Sequence, residues 1–277
     1  MLGERRRLDV LITVKTYPIP STKYDELVCT AGVTREHGFV RLYPINFRDL
    51  PAWQQYRKYT WITVDAEKHT GRDSRKESWR PDCESLRIGN FIPANPGNWA
   101  ERSQFVMPLL AESMEELGRR QKKDRTSLGL VMPREVTDLR VIEAEPCWPP
   151  RFLAQLKQAR LWEDRKASKR PPRKVPWKFQ YRFRCFGRNC RGHQMMIEDW
   201  EAGRLYWREI DDGKNPQEAA KSVRHKFLHD ICGPDRDTYF FVGTVLAYGT
   251  WVVVGTYYPK REPPRLPLDF GPLRGAD

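Results

Sequence analysis

Residues 26–45, ELVCTAGVTREHGFVRLYPI, decide how the first part of this chain is read. Two runs rich in β-branched and apolar residues, 26–33 and 38–45, flank TREH. Gly38 opens the second run, so the stretch predicts a hairpin with a longer loop. Outward from it, DVLITVKT (9–16) is β-branched and bounded by the YPIPS turn, and YTWITVDAEK (59–68) alternates in character. Short strands at this spacing predict a small barrel or a strongly bent sheet.

Further along, the signals mix. LLAESMEELGRRQKK (109–123) predicts a helix, with Ser113 and Glu116 as a capping box. Strands are expected around LGLVMP and TDLRVIEA, and a proline-initiated helix over 149–165. RKASKRPPRKVPWKF is basic and proline-rich and reads as an extended arm. Beyond it come a strand, a helix within QMMIEDWEAGRLYWREI, and a helix from Pro216 with Asn215 as N-cap and Glu218 as its box partner. TYFFVGTV and TWVVVGTYYP form a terminal hairpin. The expected fold is therefore α+β. A β-rich N-terminal domain with one inserted helix (1–148) precedes a helix and basic linker arm (149–176). A compact α+β C-terminal domain (177–262) and a Pro-rich tail (263–277) follow.

Ten tryptophans and 39% apolar residues among 277 supply a core. The net charge of +13 and pI near 9.6 favour polyanionic partners. No apolar run approaches the ~20 residues a spanning helix needs, and no secretory h-region follows MLGERRRLDV, so no membrane partner and a cytoplasmic location are expected. Six cysteines in that compartment are expected to be reduced, which turns any Cys/His cluster into a metal question.

RFRCFGRNCRGHQMM (182–196) holds such a cluster. Cys185, Cys190 and His193 give C-x4-C-x2-H, a thiolate and imidazole set suited to zinc. His225, His229 and Cys232 follow at i, i+4 and i+7 of the second capped helix, within about 60° of one another at 100° per residue. One site using four of the six, or two sites with outside ligands, both fit this spacing. Free cysteine also packs as a small apolar residue, so a cluster without metal is the alternative. Lys226, Phe227 and Leu228 between the histidines exclude the HExxH metalloprotease.

Charge gathers in the same region. From Arg165 to Ile197 there are eleven cations and no carboxylate: Arg165, Lys166, Lys169, Arg170, Arg173, Lys174, Lys178, Arg182, Arg184, Arg188 and Arg191. In WKFQYRFR, rings occupy 177, 179, 181 and 183 while cations occupy 178, 182 and 184, so a strand puts rings on one face and charge on the other. Buried rings leave the charged face to track a phosphodiester backbone, and exposed rings would favour single strands. DNA or RNA binding through this arm, with zinc as a brace, is the expected function. A metal-dependent nuclease or nucleic-acid-modifying enzyme is the alternative, with Asp65, Glu67, His69 and Asp73 as candidate ligands of a hard cation. An adaptor docking an acidic protein is the third reading. No glycine-rich phosphate loop or GxSxG is present.

Overall fold

The computed structural model describes residues 4–21, 25–69, 71, 73, 75–94, 99–154, 172–188, 190–245 and 249–261. The N-terminal half closes around β1 (Arg5–Lys15). Its apolar run is nearly continuous because both faces are covered. Val10 and Ile12 enter one core with Val28, Val40, Leu42, Ile62 and Val64. Leu11 and Val14 enter another, shared with Phe241, Val252 and Val254. A strand wet on one face would alternate instead.

After it come β2 (Ile19–Ser21), β3 (Asp25–Val33), β4 (Phe39–Ile45), β5 (Thr60–Lys68), β6 (Ser78–Pro81) and β7 (Arg87–Phe91). The pairings β1–β3, β3–β4, β4–β6, β6–β5 and β5–β1 form a closed five-stranded barrel, with β2 added to β3 and β7 to β5. Closure leaves the ring itself without a free edge. The hairpin read from 26–45 is present, its turn made by His37 in the left-handed region and by Thr34 N–H bonding the Gly38 carbonyl at 2.9 Å. Gly32 is needed where β3 crosses β1, since a Cβ there would sit 2.2 Å from the Leu11 carbonyl oxygen.

After α1 (Ala100–Val106), the C-terminal region comprises β8 (Leu110–Ala111), α2 (Met114–Asp124), β9 (Leu128–Val131), β10 (Glu135–Glu143), β11 (Trp177–Arg184) and β12 (His193–Met196). It continues with α3 (Trp200–Asp211), α4 (Pro216–His225), β13 (Tyr239–Thr244) and β14 (Trp251–Tyr257). One sheet has the order β14-β13-β9-β8 and the other β10-β11-β12. Residues 110–143, read from sequence with the N-terminal domain, thus supply strands to both C-terminal sheets. Asn215 and Glu218 form the expected reciprocal box, whereas at α2 only half of it is made: Ser113 accepts from Glu116 N–H, but the Glu116 carboxylate takes the N–H of Glu112, one residue before the N-cap.

A seam at Glu198 and Asp199 joins the two halves. Tyr17 N–H donates to the Glu198 carbonyl at 3.0 Å, and Glu198 N–H to Val253 at 2.9 Å. Asp199 caps α3 and accepts both 2.7 and 2.8 Å bonds from Lys58 of the barrel. The Tyr17 ring lies so close to α3 that a Cβ at Gly203 would be 2.1 Å from it. No helix among the described residues is long and apolar enough to cross a membrane.

Candidate functional site

β11 carries the alternation that the sequence predicted. Phe179, Tyr181 and Phe183 are 4%, 0% and 1% exposed, while Lys178, Arg182 and Arg184 point outward. The rings fill the C-terminal core, with Tyr181 stacked on Phe240 at 4.5 Å. The charged face alone is left to meet a partner.

Directly after Arg184 the chain turns through Cys185, Cys190 and His193 and returns as β12. Cys190 N–H bonds the Gly187 carbonyl at 3.0 Å, and Cys185 N–H donates to the Cys190 sulfur at 3.1 Å, so the loop folds its thiols inward. The Cys190 sulfur lies 3.2 Å from His193 Nε2, whose ring rests 5.1 Å from that of Phe183. A fourth group comes from elsewhere: Glu115, in the first turn of α2, places Oε1 3.2 Å from the same Nε2. Ligand atoms of Glu115, Cys185, Cys190 and His193 all lie within 4.8 Å of one another. A tetrahedral ion with bonds near 2.0–2.3 Å separates its ligands by roughly 3.3–3.8 Å, so this group is close enough to hold a metal ion.

Two further observations fit a cation. Glu115 Oε2 is buried with no hydrogen-bond partner, and an orphaned buried carboxylate oxygen is costly. Burial also pushes the Cys185 thiol up to about 11, a cost that a coordinated cation offsets. With four protein donors the set is closed, which is the pattern of a structural site.

The second sequence cluster does not join the first. Among the described residues, the group at Cys185 is where three or more such ligand atoms converge. His225 and His229 are exposed, 5.2 Å apart ring to ring, and His225 pairs with Asp230 at 3.5 Å. Cys232 instead turns inward, 3.3 Å from the Phe227 carbonyl and 3.8 Å from the Tyr181 hydroxyl. Burial pushes its thiol up to about 11. The physical reason is a π turn at Lys226–Asp230, where Ile231 N–H reaches back five residues to Lys226. The wider turn lowers the advance per residue below 100°, so α-helical arithmetic misplaces Cys232.

Of the eleven cations, Arg165, Lys166, Lys169 and Arg170 lie outside the described residues. Arg173 is occupied: Nη1 binds both Asp211 oxygens at 2.7 and 3.0 Å, and the guanidinium lies 3.6 Å over Trp207. Lys174 donates to the Cys147 carbonyl at 3.0 Å. Lys178, Arg182, Arg184, Arg188 and Arg191 stand exposed, with Phe186 59% exposed among them. Arg140 of β10, opposite Gln180, adds to the face, a contribution no run of charge revealed. Glu135 and Asp138 oppose Arg184 and Arg182, but Asp138 is bound to Arg224 at 3.0 Å.

The N-terminal carboxylates are dispersed. Asp65 and Glu67 face Arg7 and Arg5 across β1. His69 Nε2 sits 3.3 Å from the Tyr43 carbonyl, and Asp73 is clamped by Arg75 at 2.6 and 2.7 Å. Cross-strand cations and a buried ion pair account for these residues.

Comparison with known proteins adds a family but no activity. One family model, described as Domain of unknown function (DUF8758), matches residues 6–108. No curated protein matches the chain. A second model, Domain of unknown function (DUF8757), matches residues 110–270, from the first strand of the C-terminal sheet through the terminal hairpin. On that match, which spans more than half the sequence, the chain belongs to the DUF8757 family.

Proposed function

We propose that the protein binds nucleic acid through the outer face of β11 and the loop that follows, and that zinc at Glu115, Cys185, Cys190 and His193 braces this loop. The observation that carries the reading is continuity. The strand presenting Lys178, Arg182 and Arg184 runs straight into the cysteine loop presenting Arg188, Arg191 and Phe186. Cations there meet phosphates, and Phe186 offers a ring for an unpaired base. Two thiolates and an imidazole favour zinc over hard cations, and Glu115 completes four donors. The brace fixes a short loop whose described residues make few hydrogen bonds of their own, so its arginines meet a partner already placed.

The test pairs metal analysis with binding. Purified protein should carry about one zinc per chain, as a four-ligand structural site requires. Fluorescently labelled single- and double-stranded DNA and RNA should be retained with an affinity that falls steeply with salt. A chain that binds heparin as well as any oligonucleotide supports the adaptor reading instead. Strand cleavage with added magnesium or manganese moves the assignment to an enzyme.

A further inference from the structure

Between the barrel and the β13–β14 hairpin lies a cavity of about 350 Å³, the lower part of the ~300–1,000 Å³ range of ligand pockets. Its walls are mostly apolar, with Val14, Leu128, Val252 and Val254 among them. Six polar side chains interrupt this wall: Thr16, Arg41, Tyr43, Arg75, Glu198 and Thr244. Their charges are largely spoken for. Arg75 holds Asp73 through two bonds. Arg41, 1% exposed, donates to Ser127 Oγ at 2.5 Å and to the Ser127 carbonyl at 2.9 Å, and that hydroxyl in turn donates a hydrogen bond to Glu77 at 2.6 Å. Arg75 therefore has a carboxylate directly and Arg41 has one through Ser127, and no surplus positive charge remains to call for a phosphate.

Two groups are left over. Arg41 Nε is buried with no hydrogen-bond partner. The Glu198 carboxyl makes no side-chain hydrogen bond to a described residue, and burial pushes its pKa upward against the opposing Lys178 charge. The Arg41 nitrogen is closed off from any occupant. The half-buried Glu198 carboxyl, however, shares a mostly apolar wall with Thr16, Tyr43 and Thr244. That wall suits a flat, uncharged ligand with apolar faces and a hydrogen-bond donor on its rim.

The position of the cavity says where such a ligand comes from. A second cavity of about 530 Å³ shares Ile19 and Glu198 with the first. Trp148, Trp177, Lys174 and Lys178 line it, so it opens toward the cationic face of β11. A phosphodiester chain passing Lys178 would run beside Glu198.

We infer that the cavity at Arg41 and Glu198 receives a single nucleobase swung out of the bound strand. The inference rests on the strand-binding reading above and adds to it a site for one residue of the ligand. Unstacking costs a few kcal/mol per base and is least for single strands and mismatches, which makes these the favoured ligands.

The experiment uses the full metal-loaded chain and a single-stranded oligonucleotide carrying 2-aminopurine, whose fluorescence rises when it leaves the stack. Anisotropy of a separate label reports affinity, and calorimetry with the four free nucleosides reports the cavity alone. Binding should be accompanied by a fluorescence rise. Cys29 also lines the cavity, and Cys29→Phe, which fills it, should abolish that rise while leaving the salt dependence of strand binding unchanged. Glu198→Gln preserves shape and should weaken the preferred nucleoside about tenfold or more, as loss of a charged hydrogen bond does. Strand binding with no rise and no nucleoside binding overturns the cavity proposal and leaves the surface standing. Nucleoside binding with no strand binding overturns the surface, and with it the delivery of a base from a strand. Absence of both overturns the two together.

Discussion

The salt dependence that the proposed strand binding should show can be worked from the exposed charges. Lys178, Arg182, Arg184, Arg188 and Arg191 stand exposed and outside the ion pairs described for Arg173 and Arg224. If each displaces one counterion, log K falls with log salt at a slope of about −3.5 on single strands and about −4.5 on B-form duplex. Between 50 and 200 mM salt this is roughly a hundred- to five-hundredfold loss of affinity. Residues of the arm outside the described structure add to the absolute slope, so the informative quantity is a difference. Arg188→Ala with Arg191→Ala removes two loop cations that no paired strand opposes, and should flatten the slope by about 1.4–1.8. Arg173→Ala is the matched control. Its charge is already held by Asp211 and its ring partner is Trp207, so the slope should stay where it was. Fluorescence anisotropy titrations at four or five salt concentrations measure all three. A double variant with the wild-type slope, or an Arg173 variant that flattens it as much, refutes the assignment of the phosphate surface.

Cys190→Ser or Glu115→Gln should lower the zinc content of purified protein, whereas His225→Ala with His229→Ala should leave it at the wild-type level; elemental analysis decides. Asp199→Asn keeps an N-cap acceptor for α3 but leaves Lys58, whose side chain is 8% exposed, with only the half-exposed Glu201 at 3.5 Å, so urea denaturation should show a loss of about 2–3 kcal/mol; a loss under about 1 kcal/mol contradicts a charged pair across the seam. Lys15 is buried against Phe47 at 3.9 Å and Trp200 at 4.4 Å, and burial first, then the Lys58 charge, lower its pKa to about 8. A lysine lowered in the folded state destabilises it fully below pH 8, and the penalty is relieved as pH rises from 8 to the unfolded value of 10.5. Lys15→Met should therefore gain most over wild type at pH 7 and lose that advantage by pH 10.5, read as the difference between two denaturation series.

The barrel was legible because its strands speak in local terms. The hairpin at 26–45 has β-branched arms and a glycine after the turn, and the strands around it recur at short spacing. That β1 would be covered on both faces is also visible, in hindsight, in its nearly unbroken apolar run. What local pattern could not give is partnership. β9 is four residues long, and nothing in LGLV says that it pairs with β13 more than a hundred residues later. Its placement next to β13 rather than in the barrel depends on Leu128 and Leu130 finding Phe241 and Val254, a contact set by the whole core.

The metal group divides along the same line. Cys185, Cys190 and His193 are close in sequence, and a short loop brings their side chains together whatever the rest of the chain does. Glu115 is seventy residues upstream, in a helix first turn where a carboxylate has an ordinary reason to sit, beside the N-cap of α2. Its place beside His193 is fixed only once Leu117 and Met114 pack α2 against the core that holds Phe183. The histidines at 225 and 229 share a helix face, which is why the spacing allows them as ligands, but helix periodicity fails where the helix does. The π turn sends Cys232 to the Tyr181 hydroxyl and leaves the two rings at the surface. The same packing that supplies Glu115 also decides the cationic face. Burying Phe179, Tyr181 and Phe183 forces Lys178, Arg182 and Arg184 outward, and the bond from Cys185 to Cys190 turns the chain so that Arg188 and Arg191 follow them. Core, metal group and charged surface are then three consequences of one strand's register, and a change that shifted β11 by one residue would invert all three.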